Sequence, residues 1–423
     1  MTAPLPEETQ TRLLMIAVAA VVGAQVVLVF AKPINWDEFL HFSQVADLAE
    51  GRLHWRLQTL HARVFAYALA APGDAIDQIR AARLGALAFS VATTAMVILL
   101  ASRFADRRIA WLCGLAYIAG GYVFVHAFAL RPDPAATAAL MAALCLMAFG
   151  RLSAPRLVAA GVLIGLAGAL TIKSVFFLPC FAGIAWMRAA ETPDDRWPRL
   201  ALIAIVPVVA MAAFAALIAW HGADATGGEG KTDGLARRIG AFVLEAPLQN
   251  VRYGLIQLVL TPLATVGVIA SLAFLRRLDG SERVAVIGLL APLATLLFFR
   301  NTFPYYFVFL YAPLCVAIAP GLAQLRGRIA RAATIPAAVF GAVVLASAQT
   351  PSILSEQRAL LNEVNRLFPE TAGYVAHVPF APRHGRVLPH FLSGPGLERY
   401  AARGAAVIAE RVEAGDAAFA LAD

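Results

Sequence analysis

The polar positions of this chain come in clusters, and long apolar blocks lie between them. Blocks near 12–31, 81–101, 109–128, 134–150, 156–172, 174–188, 199–220, 249–275, 283–299, 304–322 and 330–349 carry few charges. Many reach roughly 18 residues or more, the length a helix needs to cross a bilayer, so the pattern predicts about eleven membrane-spanning helices. The connection between two of these blocks, Thr171-Ile172-Lys173-Ser174, is very short.

Two regions break this rhythm. In the loop 32–80, Trp36, Phe39, Leu40, Val45 and Leu48 recur at near-helical spacing, and Gly51 follows as a stop. This predicts a helix along the membrane surface, with a tryptophan at the interface. A second amphipathic stretch, 53–69, carries Trp55, Phe65 and Tyr67. The Gly- and Asp-rich piece that opens loop 221–248 reads as mobile. The tail 351–423 mixes helical patterns (355–367 and 395–414) with strand-like runs (374–378 and 417–421), the outline of a small α/β unit. It ends on a strand-like run, so that unit is read as minimal or truncated. The expected organisation is a membrane domain over 1–350 and a small outer segment over 351–423. The fold class is an all-α polytopic membrane protein, with amphipathic juxtamembrane helices in its first outer loop and an α/β C-terminal segment.

Composition agrees with the pattern. Apolar residues make up 60% and charged residues 15%, against about a quarter charged in soluble domains, and mean hydropathy is +0.71. A formal net charge of +8 does not point to nucleic acid here, because the arginines gather in short loops between apolar blocks. Arg103, Arg107 and Arg108 share one side with Arg151 and Arg156, with Arg188, Arg196 and Arg199, with Arg276, Arg277 and Arg283, and with Arg326, Arg328 and Arg331. Short basic loops are cytoplasmic by the positive-inside rule. The N-terminus is then expected inside and the C-terminus outside, in a multi-pass protein of the plasma (inner) membrane. The first block reads as an uncleaved helix: its apolar run is long, PLPEETQTR is not clearly basic, and no small-x-small site precedes Lys32. Cys113, Cys145, Cys180 and Cys315 lie within apolar blocks without paired spacing, so neither a disulfide framework nor a metal site is expected.

The chemistry gathers on the outer side, with His41, His54, His61, His221, His377, His384 and His390, and with His126 close to it. In KPINWDEFLHF, Asn35 and Glu38 fit a capping box. That accounts for Glu38 better than for Asp37, since a second acid at the membrane edge is costly without a partner. His41 lies four residues on from Asp37, on the same helical face. Such a pair either holds a reacting hydroxyl or simply stabilises the helix. In Arg131-Pro132-Asp133-Pro134, Pro134 at the first helical position would make Asp133 an N-cap, and Arg131 offers a fork suited to phosphate. Lys173 either snorkels to water or meets an anion. Arg300, at an outer end and followed by Asn301, Pro304, Tyr305 and Tyr306, runs against the positive-inside trend. Candidates for an acceptor or sugar site are His41, His61, Tyr305 and Tyr306. An inverting transfer from a phosphate-activated lipid needs such a set: a carboxylate to take the acceptor proton and cations to hold the leaving phosphate.

An Asp-Glu after the first membrane helix, an Arg-Pro-Asp turn after the third, a lysine after the fifth and a late tyrosine-containing outer turn resemble the GT-C superfamily of membrane glycosyltransferases. The likeness is to the branch of protein O-mannosyltransferases and lipid A aminoarabinose transferases, and it covers roughly 10–320. It implies a polyprenyl-phosphate-sugar donor, transfer at the outer face, and no required metal or other cofactor. By position, Asp37 would be the general base, with Glu38 its neighbour in the acceptor site. Asp133 would be a second acid lining the cavity, and Lys173 would bind the donor phosphate, assisted by Arg131 or Arg300. Where relatives carry a His-Pro-Pro-like element, this chain reads Leu60-His61-Ala62-Arg63. The expected partners are the bilayer, the lipid-linked donor, and a glycolipid, polymer or protein acceptor, with no nucleic acid. Two other classes compete: a transporter or flippase, and a non-catalytic scaffold. A transporter would place ionisable groups near the midplane and show repeats, whereas here the polar groups collect at one face.

Overall fold

The computed structural model describes residues 6–53, 56–225, 248, 250–325, 334–370, 372–376, 379–384 and 419–421. His54, Trp55, His377, His390, Arg326, Arg328, Arg331, the expected helix 395–414 and most of the Gly- and Asp-rich stretch lie outside the described residues.

The protein is a helical, multi-pass membrane protein. Glu7–Ala31, Ala75–Ala101, Ile172–Ala190, Arg196–Gly222 and Gly280–Phe298 are each long and apolar enough to cross a membrane, and two bent pairs raise the count from five to as many as seven. Fewer helices than apolar blocks therefore qualify among the described residues, and the breaks have physical causes. The block at 109–128 is interrupted after Arg107–Ile118, where Gly121 takes φ +51. The freed backbone is met by one side chain: Gln257 Nε2 donates to the Gly120 carbonyl at 3.0 Å, and its Oε1 accepts from Tyr122 N–H at 2.9 Å. The block at 249–275 bends by 98° between Val251–Leu260 and Pro262–Ala273. Pro262 has no N–H to give to Leu258, and Thr265 Oγ1 donates to that carbonyl at 2.9 Å instead. Irregular backbone at membrane depth survives where such partners exist.

The chain divides into two compact units, 1–28 with 86–220 and 231–349, and 29–85 with 221–230 and 350–423. In the first, helices approach through small residues, as expected where lipid removes any hydrophobic drive between them. A Cβ on Gly165 would sit 2.6 Å from the Ala210 carbonyl, and one on Gly288 would strike the Pro179 carbonyl. Every residue of the helix Tyr306–Ala317 is buried, the pattern of a helix enclosed on all sides. The cysteines are free; all but Cys145 are buried.

The second unit is built on the first-loop helix Trp36–Ala49, which the spacing predicted. Asn35 caps it, and both bonds of the capping box are present. Phe39, Phe42, Val45 and Ala46 form its buried face, and Gly51 at φ +68 ends it. The 53–69 stretch contributes a short helix, His61–Val64, and a 3-10 turn, Ala66–Ala70. The tail supplies the helix Ser352–Leu367, with Leu354, Leu361 and Val364 buried. It also supplies strands Tyr374–Ala376 and Phe419–Leu421, paired in parallel with Tyr374 opposite Phe419.

Candidate active site

In the first unit, Arg131 occupies the N-cap position with extended backbone (φ −151, ψ 158), and the helix runs Pro132–Ala148. Asp133 is therefore inside the first turn and is not the N-cap the sequence suggested. Arg131, before Pro132, takes the extended geometry favoured before proline, whereas Asp133 is helical although Pro134 follows it. Pro132 then fills the first helical position, where no N–H is needed. Lys173 lies in a 3-10 turn, Ile172–Phe177, after an extended Thr171. It meets an anion: its ammonium forms an ion pair with the buried Asp133 carboxylate. Arg131 Nε donates to the other oxygen of Asp133 at 3.3 Å. Two cations thus share one carboxylate, and these three groups carry one net positive charge.

Tyr305 completes the cluster. The Arg131 guanidinium lies 3.3 Å from the centre of its ring, and Lys173 Nζ lies 5.6 Å away. The Tyr305 hydroxyl donates to Asn301 Oδ1 at 2.6 Å, which fixes the ring. Tyr306 was a candidate for direct sugar contact, but it is fully buried, with its hydroxyl 2.6 Å from Thr295 Oγ1. It packs behind the cluster, its ring 5.9 Å from Lys173 Nζ. Arg300 is held through its backbone, whose carbonyl accepts from Asn250 Nδ2 at 2.7 Å. In the same unit, Leu258, Val268, Leu296, Phe307 and Tyr311 line an apolar cavity of about 210 Å³.

In the second unit, Asp37 sits in the first turn of its helix, and its N–H donates to Asn35 Oδ1 at 2.9 Å. Glu38 is committed elsewhere. It accepts from Arg83 Nε at 2.8 Å and Nη2 at 2.6 Å, and from Asn35 N–H at 3.0 Å. Arg83 also donates to the carbonyls of Val29, Lys32 and Pro33 at 3.1, 2.8 and 2.8 Å. All five guanidinium N–H groups are thereby used. Burial pushes the Glu38 carboxyl up, but the Arg83 guanidinium, with Lys32 and the Asn35 N–H, outweighs it and holds the pKa at about 2. His41, one turn on from Asp37, has its Nδ1 3.0 Å from His61 Nε2, the two rings edge to face. Arg63 Nε donates to His221 Nδ1 at 3.0 Å, and His221 Nε2 lies 2.8 Å from Thr59 Oγ1. Because Arg63 can only donate, Nε2 carries the His221 proton.

The structure brings Arg131, Asp133, Lys173, Tyr305 and Tyr306 together in one unit, and pairs His41 with His61 in the other. Sequence reasoning missed Arg83. The available signal was an arginine at the polar end of a long apolar helix, where a buried cation asks for an acidic partner.

No protein-family model and no curated protein matches the sequence. Solved structures do match. ArnT from Cupriavidus metallidurans bound to undecaprenyl phosphate aligns with TM-score 0.64 at 13% identity, over 89% of this chain and 85% of that one. The apo form of that protein gives 0.61 at 13% identity over the same shares. Arabinosyltransferase EmbB from Mycobacterium smegmatis gives 0.51 at 17% identity, over 77% of this chain but 31% of that one. The chain shares its fold with these solved membrane proteins.

Proposed function

We propose that this protein is an inverting glycosyltransferase, moving a sugar from a polyprenyl-phosphate donor to an acceptor hydroxyl at the outer face of the plasma membrane. The observation that carries this reading is the Arg131–Asp133–Lys173 cluster, a buried group of residues with net positive charge, in a chain whose fold is shared with a protein crystallised on undecaprenyl phosphate. Asp37 takes the proton of the acceptor hydroxyl. The acceptor oxygen then attacks the anomeric carbon. The bond from that carbon to the phosphate oxygen breaks, its electron pair leaving with the polyprenyl phosphate. Lys173 and Arg131 hold the charge that develops on that phosphate, and Arg300 is a further candidate for it. Asp133 keeps both cations aimed, and Tyr305 supports the flat face of Arg131. The apolar cavity suits the donor's hydrocarbon. Glu38 shapes the base's loop. His41 and His61 lie on the acceptor side, where a glycolipid, a polymer or a protein would bind.

The test is transfer in proteoliposomes, using a panel of undecaprenyl-phosphate-linked sugars. Asp37→Asn should cut turnover by about 10²- to 10⁴-fold while donor binding persists. Lys173→Gln should weaken donor binding by about tenfold or more. Full transfer by Asp37→Asn would remove the base assignment.

A further inference from the structure

The loop that carries Asp37 is gripped by the C-terminal segment. Ile34, three residues before Asp37, is almost fully buried, so its backbone N–H and C=O need partners within the protein. One side chain supplies both. Gln357 Oε1 accepts from Ile34 N–H at 2.9 Å, and Gln357 Nε2 donates to the Ile34 carbonyl at 2.8 Å. The next residue extends the grip. Arg358 Nε lies 2.9 Å from Asp74 Oδ2, and its Nη2 lies 2.5 Å from Asp77 Oδ1. Asp77 in turn binds Arg80, which donates to the Phe30 carbonyl at 2.6 Å. Phe380 packs against Phe39 with the rings tilted and their centres 4.9 Å apart, and Arg383 donates to Gln78 at 3.2 Å. The segment therefore holds the chain on both sides of the base.

We infer that Gln357 is a positioning residue for Asp37, and that the C-terminal segment sets the geometry of the catalytic loop through it. This rests on the proposed transferase reading. A primary amide both donates and accepts, and this site uses both roles. A carboxylate at 357 would accept from the Ile34 N–H but would oppose the Ile34 carbonyl with a lone pair. A protonated carboxylic acid restores both bonds, since its O–H donates and its C=O accepts. That difference gives a signature that general destabilisation lacks.

The experiment compares full-length Gln357→Glu and Gln357→Leu with wild type in proteoliposomes across pH, and follows hydrogen–deuterium exchange of the peptide around Ile34. At neutral pH both variants should lose kcat by about 10- to 100-fold, the scale of a misplaced catalytic group, with donor KM little changed and exchange at Ile34 raised. As pH falls through the carboxyl range, Gln357→Glu should recover towards wild type in kcat and in protection, whereas Gln357→Leu should not. Wild-type kcat in Gln357→Leu, or a Gln357→Glu defect that does not change with pH, overturns the inference. Activity in Asp37→Asn instead removes the base assignment, whatever Gln357 does, so the two failures are distinct.

Discussion

At the scale of single residues, Glu38 and Arg83 show how a conspicuous acid is spent on structure. The folded carboxyl has a pKa of about 2 against an ordinary 4.5. Its stabilisation is therefore fully present above pH 4.5 and is lost as pH falls towards 2. Glu38→Gln should cost about 3–5 kcal/mol at neutral pH, since it leaves the buried Arg83 uncompensated. The gap in melting temperature between wild type and this variant should be widest above pH 4.5 and narrow as pH approaches 2. A gap that stays constant over that range would contradict the ion pair. Tyr305 is read the same way. Tyr305→Phe keeps the surface under Arg131 and should bind the proposed polyprenyl-phosphate donor within about threefold of wild type. Tyr305→Leu removes it, a loss of about 1 kcal/mol or more, or roughly fivefold in affinity by titration.

At the scale of elements, packing in the first unit depends on where glycine sits. A Cβ on Gly288 meets a backbone carbonyl, which cannot swing aside, while one on Gly23 meets nothing within 4 Å. Gly288→Ala should destabilise by about 1–3 kcal/mol. Gly23→Ala should stabilise by about 0.4–1 kcal/mol through the unfolded chain. Thermal unfolding of the two purified variants separates these signs. Elements were also where the sequence spoke most clearly. The first-loop helix, its capping box, its Gly51 stop and the tail's helix all rest on signals a few residues long. The span count was harder to read, because Gly121 and Pro262 interrupt blocks whose hydropathy stays high across the break.

At the scale of the whole molecule, membrane class was legible from composition, and fold from the order of four short motifs. Contacts between distant stretches were not. Glu38 and Arg83 lie 45 residues apart, and Ile34 and Gln357 lie 323 apart. No local pattern announces either pair. Lys173 had no acid near it in sequence, and Asp133 reaches it only once the chain is folded. The orientation drawn from arginine-rich loops has its own check. Ser102→Cys, exposed beside Arg103, should resist an impermeant thiol reagent in intact cells and react after permeabilisation. Reaction in intact cells would reverse the orientation.

Three of the five acceptors around Arg83 are main-chain carbonyls. Their directions depend on the path of the chain and hardly at all on which side chains it carries. Substitutions within 29–33 that preserve the path of the chain should therefore leave these three bonds intact. Relatives of this protein should be easier to find by a glutamate and an arginine set one loop apart than by the letters that surround Asp37.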